Sequence, residues 1–477
     1  MNQFSYFRSR RFRRSLVVGL VCVALLGVFV WYKLFRTVIT LYADPAEHFK
    51  YGSIGVEVPA GIPYWIWVVL PRVFADKLPG AGGYVALGVS WEMGKEMPIG
   101  FTKEIVGIPR VGVNCAGCHT TSVRSNPNAA PQFYFGGPTS RFRPQEYVRF
   151  LFACAHDDRF TSANLMKAIL AIYDMPLVDR LLYRYLIIPA TKSAILKSEK
   201  VDYYWMASRP DWGPGRTDMN PFQRQVMRLP DDHTIGSTDV MAIWNERAHS
   251  GMLHHSDGLN TTLTESARAA ALAAGATKSS IDIPAIDRVE AWLLDLPAPK
   301  YAFAIDQALA GKGRPIFAAH CAACHAFGGA RTGTVISLAE IGTDPNRNKH
   351  WPQSSADAFN HWADGYPWAF HHFRSSDGYV ALPLDGIWLR APYLHNGSVP
   401  NMRELLSPAE QRSKVFYRGY DVYDQANMGF ISSGPQAELE GFRFDMSIIG
   451  NSNQGHLYGT DLTAADKQAL IEYLKTL

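Results

Sequence analysis

The chain has 477 residues, with 47 Lys and Arg against 43 Asp and Glu, a formal net charge of +4 and 47% hydrophobic residues. At about 100–200 residues per domain this length allows two to four domains, and it excludes a disulfide-stapled miniprotein, a disordered tail and a polytopic transporter. The charge is unevenly placed: Arg8, Arg10, Arg11, Arg13, Arg14, Lys33 and Arg36 lie within the first 36 residues, which hold no acid, and the remaining body is slightly acidic. A nucleic-acid binder concentrates Lys and Arg on its folded domain, so nucleic acid is excluded as a partner.

Leu16 to Tyr32 is an unbroken apolar run of 17 residues. That is near the lower limit for crossing ~30 Å of hydrocarbon at ~1.5 Å per residue. A cleaved signal would show a shorter apolar core and a small-residue cleavage site, whereas Trp31, Tyr32, Lys33, Leu34 and Phe35 suit an interface belt. The expectation is an uncleaved, single-pass anchor in a bacterial inner membrane, with the basic amino terminus in the cytoplasm and the body in the periplasm. The Arg10-Arg11 pair reads as topology charge and not as a twin-arginine signal. A second apolar stretch, Tyr64 to Leu70, is too short to span and reads as buried or membrane-skimming.

Six cysteines outside a membrane suggest disulfides until their spacing is read. Cys115-Ala116-Gly117-Cys118-His119 and Cys321-Ala322-Ala323-Cys324-His325 are both C-x-x-C-H. In that arrangement two thiols add to the haem vinyl groups, and the adjoining histidine then lies beneath the iron. Zinc ribbons place their cysteine pairs about 15–20 residues apart and need no such histidine. The expected cofactors are therefore two covalently bound haem c groups, held by Cys115, Cys118, Cys321 and Cys324, with His119 and His325 as metal ligands. Cys22 and Cys154 are bystanders.

Gly313, Phe317 and Cys321 recur every four residues, stacking a close-contact glycine, an aromatic knob and a thiol on one helix face. Thr463 and Asp466 form a capping box before an amphipathic helix through Leu470, Tyr473, Leu474 and Leu477. Pro284 opens a similar helix through Ile286, Val289, Trp292, Leu293 and Leu296. Each closing helix is expected to pack its aromatic against the entrance helix of its own haem domain. The fold class is mainly α: two cytochrome c-like domains in tandem, with long loop insertions, after a transmembrane helix. The expected boundaries are 1–36 for tail and anchor, 37–108 for a linker or membrane-proximal segment, 109–299 for the first haem domain and 300–477 for the second.

An iron with six ligands carries electrons, and one with an open position binds dioxygen or peroxide. His456 follows the turn-forming loop Gly450 to Gly455 just before the closing helix, where a cytochrome c domain customarily delivers its sixth ligand. His395, in Ala391 to Ser398, is its rival, with hydrogen bonding to a haem propionate as its other reading. For the first haem, His156 and the pair His254-His255 have no comparable support, so an open first haem is the inference.

The chain resembles the dihaem cytochrome c peroxidase superfamily, closest to the rubber oxygenase branch and related dihaem fatty-acid dioxygenases. The resemblance covers about Pro109 to Leu477. It rests on Val113 to His119, Gly213 to Asp218, Ile243-Trp244-Asn245 with Gly251 to His254 and Asp257-Gly258, Leu293 to Pro299, Ile341 to Pro345, Gly386-Ile387-Trp388 with Ala391 to Pro400, and Gly450 to His456. It implies that the first haem is the oxygen-binding site and that His325 and His456 hold the second. The peroxidases follow the stretch matching Asp257-Gly258 and Leu263 with a glutamine and a glutamate that handle peroxide protons. Ser266 to Ile281 contains no Glu, Gln or His, which argues against peroxidase chemistry because O–O heterolysis needs a positioned acid-base group. Leu259 is the candidate for an apolar distal wall, and Trp244 for an aromatic between the haems. Rubber oxygenases are longer and released, whereas a tethered enzyme meets a lipid or another membrane-proximal hydrophobe.

Two readings follow, with a cytochrome c peroxidase-like enzyme as a further alternative. One is a membrane-anchored dihaem oxidoreductase whose first haem reacts with O2 on a hydrophobic unsaturated substrate, dioxygenase-like more than peroxidase-like. The other is a non-catalytic dihaem carrier between a quinol system and a redox partner protein. In both, the pyridine haemochrome of the purified protein should give two haems c per chain, and Cys118→Ser should halve that value while leaving the second motif loaded.

Overall fold

The computed structural model describes residues 3–477; Met1 and Asn2, the start of the basic tail, lie outside the described residues. No proline or acid interrupts the first segment, and it forms one helix, Gln3–Leu34. Its last 22 residues, Arg13–Leu34, are long and apolar enough to cross a membrane, and none is buried. Helix makes up 44% of the structure and strand 11%, in line with a mainly α fold.

The first core shows where residues 37–108 belong. Asp44 caps the helix Pro45–Tyr51 by accepting from Ala46 N–H, with proline in the first turn. The apolar stretch beginning at Tyr64 is the helix Tyr64–Val73, and Tyr64, Ile66, Trp67, Val69 and Leu70 are buried, so it is a core helix. Trp67 stacks on Tyr84 at 4.2 Å, and Trp65 stacks on Tyr173 at 3.9 Å. The strands Phe101–Val106 and Ile108–Val113 pair antiparallel, in a register that sets Lys103 opposite Val111. Their turn is at Gly107, φ 71°, where a Cβ would lie 2.1 Å from the Leu34 carbonyl oxygen.

The expected linker is thus part of the first core, packed against Phe142, Tyr147, Phe150, Trp205, Trp212 and Leu293. A boundary at 109 would cut the hairpin just after its turn. The physical reason is that this hairpin presents Asn114 and Cys115, so the motif cannot be placed without it.

In the second core the helices Gln307–His320 and Ala464–Leu474 cross at Gly313, where a Cβ would sit 2.0 Å from the Ala469 carbonyl oxygen. The Phe317 and Tyr473 rings lie 5.2 Å apart, and Thr463 caps the closing helix by accepting from Asp466 N–H. In the first core the equivalent aromatic, Trp292 of the helix Ile283–Asp295, meets Phe49 at 5.2 Å. Its entrance helix is therefore Pro45–Tyr51, separated from Cys115 by the helix and hairpin described above.

The cores interlock. Val123 and Trp244 belong to the second cluster although they precede the first closing helix. Asp421 accepts from Ser122 Oγ at 2.5 Å and from Arg124 Nε at 2.6 Å. Trp244 is fully buried, donates from Nε1 to the Asp385 carbonyl at 3.2 Å, and fills the space left at Gly137 and Gly386.

The close crossing yields a paired test. Gly313→Val should lower unfolding stability by about 3 kcal/mol, the upper end for overpacking, in denaturant titration. Gly311→Ala, in open space one half-turn earlier, should raise it by about 0.5–1 kcal/mol.

Candidate haem-binding site

Each motif sits on one tight helical turn. Asn114 caps the first by accepting from Ala116 N–H at 3.0 Å, and His119 N–H closes it on the Cys115 carbonyl at 3.0 Å. In the second, His325 N–H bonds the Cys321 carbonyl at 2.9 Å. The two imidazoles are then oriented identically: His119 Nδ1 lies 2.9 Å from the Met241 carbonyl, and His325 Nδ1 lies 2.7 Å from the Leu382 carbonyl. A carbonyl only accepts, so each Nδ1 carries the proton and each Nε2 presents a free lone pair. Burial pushes His119 down to about 4 and lowers His325 as well, each partly opposed by its carbonyl hydrogen bond. Both rings are therefore neutral, the state that binds iron.

All four motif cysteines, both histidines and His456 line one cavity of about 1810 Å³. Ordinary ligand pockets run roughly 300–1,000 Å³, so this space exceeds the need of one small substrate. Burial raises the Cys115 and Cys321 thiols to about 11 and Cys118 to about 12. Thiols this protonated make poor redox dithiols. Among the described residues no three His, Cys, Asp or Glu side chains converge as a metal cluster, and all six cysteines are unpaired.

His456 faces His325 with ring centroids 6.1 Å apart. Two imidazole nitrogens each ~2 Å from one shared metal put their rings about this far apart. The loop before His456 is held from two sides. Buried Arg412 donates to the carbonyls of Asn453 at 2.6 Å, Gly455 at 2.8 Å and His456 at 3.2 Å. Gly455, φ 77°, touches Gly342-Thr343 so closely that a Cβ would lie 2.3 Å from the Gly342 carbonyl carbon. His395, the rival, lines the same cavity but stacks on Tyr379 at 3.7 Å, with its buried Nε2 unpartnered.

Around the first motif the structure is less symmetrical. His254 and His255 line the cavity, and His255 Nε2 lies 3.1 Å from Ser266 Oγ. His156 is on the surface with Glu199 at 2.6 Å. Leu259 does not reach the cavity wall: it is 1% exposed and packs with Leu272, Trp351 and Phe359. The cavity lining instead includes Leu253 and Leu263. Trp244 also packs behind the wall and does not line it.

Sequence reading missed the buried charges. Arg216, in Gly213 to Asp218, stands 3.7 Å from Asp239, which also holds Arg418 at 3.0 Å. Asp218 pairs with His350, and Arg347 with Asp257 at 2.9 Å. Burial lowers Arg216 to about 9, with Arg418 adding repulsion. Arg347 and Arg390 line the cavity, and the buried Arg347 Nη1 has no partner. An orphaned guanidinium N–H in the cavity that the motif cysteines and carbonyl-fixed imidazoles also line suits a macrocycle bearing carboxylates. The donor set thus fits haem c: Cys115, Cys118 and His119 would hold one group, and Cys321, Cys324, His325 and His456 the other.

Residues 378–417 match the family described as RoxA-like, cytochrome c-like. The matched span contains Leu382, Arg390, His395 and Arg412. Two relatives from Sinorhizobium fredii (strain NBRC 101917 / NGR234) are similar to the chain, both called uncharacterized proteins. One, y4iM, is 33% identical over 231 residues, covering 43% of this chain and 51% of its own length. The other, y4iJ, is 47% identical over 109 residues, covering 21% of this chain and 18% of its own length. The chain spans about half of the first relative and less of the second. The matched segment is similar to a RoxA-like, cytochrome c-like domain, a likeness that points to covalently bound haem c.

Proposed function

We propose that the chain is a membrane-anchored dihaem c-type oxidoreductase of the periplasm, acting through a first haem on His119 upon a hydrophobic unsaturated substrate. The second haem, on His325 and His456, is its electron-transfer centre, supplied by a redox partner protein or quinol system. The observation that carries this reading is the shared cavity, into which both carbonyl-fixed imidazoles present Nε2, with His456 facing His325 at 6.1 Å and His255, in the same lining as His119, engaged with Ser266. When bound, haem supplies O2 binding at an open iron and one-electron transfer at a closed one. The protein's own part is orientation and exclusion of water. Met241 and Leu382 fix the two ring tautomers, Arg412 holds the His456 loop, and Leu253, Leu263 and Ile341 among others give the cavity apolar walls.

The second reading, a non-catalytic carrier, is favoured by His254 and His255 on the same wall. One of them reaching the first iron would close it. A peroxidase needs a distal acid-base pair, for which Ser266 to Ile281 offers no Glu, Gln or His.

The reduced full-length protein should bind one carbon monoxide per chain, and the oxidised protein should show one low-spin, bis-histidine signal by EPR. His119→Ala should abolish both turnover and that carbon monoxide binding, and His456→Ala should add a second binding equivalent. Two low-spin haems indifferent to carbon monoxide would establish the carrier instead.

A further inference from the structure

The helix Leu177–Leu182 runs through a π-turn, Tyr183–Ile187, into the helix Ile188–Val201. Its outer face is apolar where a soluble surface should be polar: Leu177 is 70% exposed, Leu181 50%, Tyr185 70% and Leu186 49%. Leu177, Leu181 and Tyr185 are spaced four apart, which puts them on one stripe. Solvated apolar side chains occur singly on any protein, but a contiguous stripe marks an interaction surface.

Its position identifies the partner. Lys33, in the last turn of the long apolar helix, is 2.8 Å from Asp179, inside this stripe's own first turn. Trp31, Tyr32 and Phe35 flank Lys33 and are exposed, the residue types that mark a bilayer interface. The ion pair therefore holds the stripe at the level of that aromatic belt. Arg184, exposed beside Tyr185, is placed to reach lipid headgroups from an apolar face. The cavity extends to this face: its lining includes Leu34, Ile108 and the exposed Leu186.

We infer that the Leu177–Leu186 face is seated in the outer headgroup and acyl boundary of the phospholipid bilayer, beside the anchor, so that the cavity opens onto lipid. This rests on the reading of Arg13–Leu34 as a membrane span. A hydrophobic substrate then enters sideways from the membrane without crossing water, which fits an unsaturated acyl-type hydrophobe better than a soluble polymer.

The test reconstitutes the full-length haem-loaded protein in phosphatidylethanolamine–phosphatidylglycerol vesicles containing a phospholipid with a diazirine in its acyl chain, followed by photolysis and peptide mapping. Label is expected in the anchor and in residues 168–192, and absent around the equally exposed Leu439. Leu181→Glu with Tyr185→Glu should reduce label in 168–192 several-fold and leave the anchor's label unchanged. Label in the anchor alone would overturn the docked face and leave the anchor standing. Label in neither segment would overturn the anchor and this inference with it.

Discussion

The hydrogen bond from an imidazole Nδ1–H to a backbone carbonyl is the constraint around which the molecule is organised. A C-x-x-C-H turn places its histidine, but the ring can rotate and exchange tautomers until the second nitrogen is fixed. The carbonyls that fix it are distant in sequence: Met241 lies 122 residues after His119, and Leu382 lies 57 after His325. Each long insertion therefore has a task. It returns a backbone oxygen to its motif, and it leaves a cavity between the motif and the returning segment.

The returning segments are held by buried polar pairs, of which Asp239–Arg418, Asp257–Arg347 and Asp218–His350 join the two halves. Arg216, Asp218, Asp239 and Asp257 come from the first, and Arg347, His350 and Arg418 from the second. Such pairs add little net stability over well-packed apolar side chains, but breaking one leaves an uncompensated buried charge at a cost of about 3–5 kcal/mol. Misaligned halves would therefore be disfavoured strongly. Gly215, φ 72°, belongs to the same device, because a Cβ there would lie 2.3 Å from the Thr139 carbonyl oxygen.

What the sequence disclosed follows from the range of each signal. The capping box at Thr463, the four-residue recurrence of Gly313, Phe317 and Cys321, and the apolar run ending at Tyr32 are local, and each predicted element is present. The entrance helix of the first core escaped notice because a helix and a hairpin separate it from Cys115, so no short recurrence links Phe49 to the motif. Leu259 was misplaced because its neighbour Asp257 turns inward to Arg347, carrying the following leucine into the cluster with Trp351. The carbonyls of Met241 and Leu382 left no trace at all, since a backbone acceptor is independent of residue type. His456 was legible only as the residue after a glycine-rich loop; the reason for the glycine, contact with Gly342-Thr343, is tertiary.

The two motifs, alike in sequence and in their Nδ1 bonds, differ in what stands opposite. His325 faces a ring whose backbone is held by Arg412 and by the Gly455 contact. His119 shares its lining with the segment Leu253 to Ser256, in which His255 takes a left-handed φ of 65°, as His456 does at 48°, and its side chain is engaged with Ser266. A non-glycine residue held in that region costs of order 1 kcal/mol and persists only where its surroundings require it. The asymmetry thus lies in rigidity: one imidazole partner is clamped through its backbone, and the other is tied by a single hydroxyl. Whichever way His255 turns, the difference between the two motifs' surroundings arises after the motifs, in the long loops that follow them.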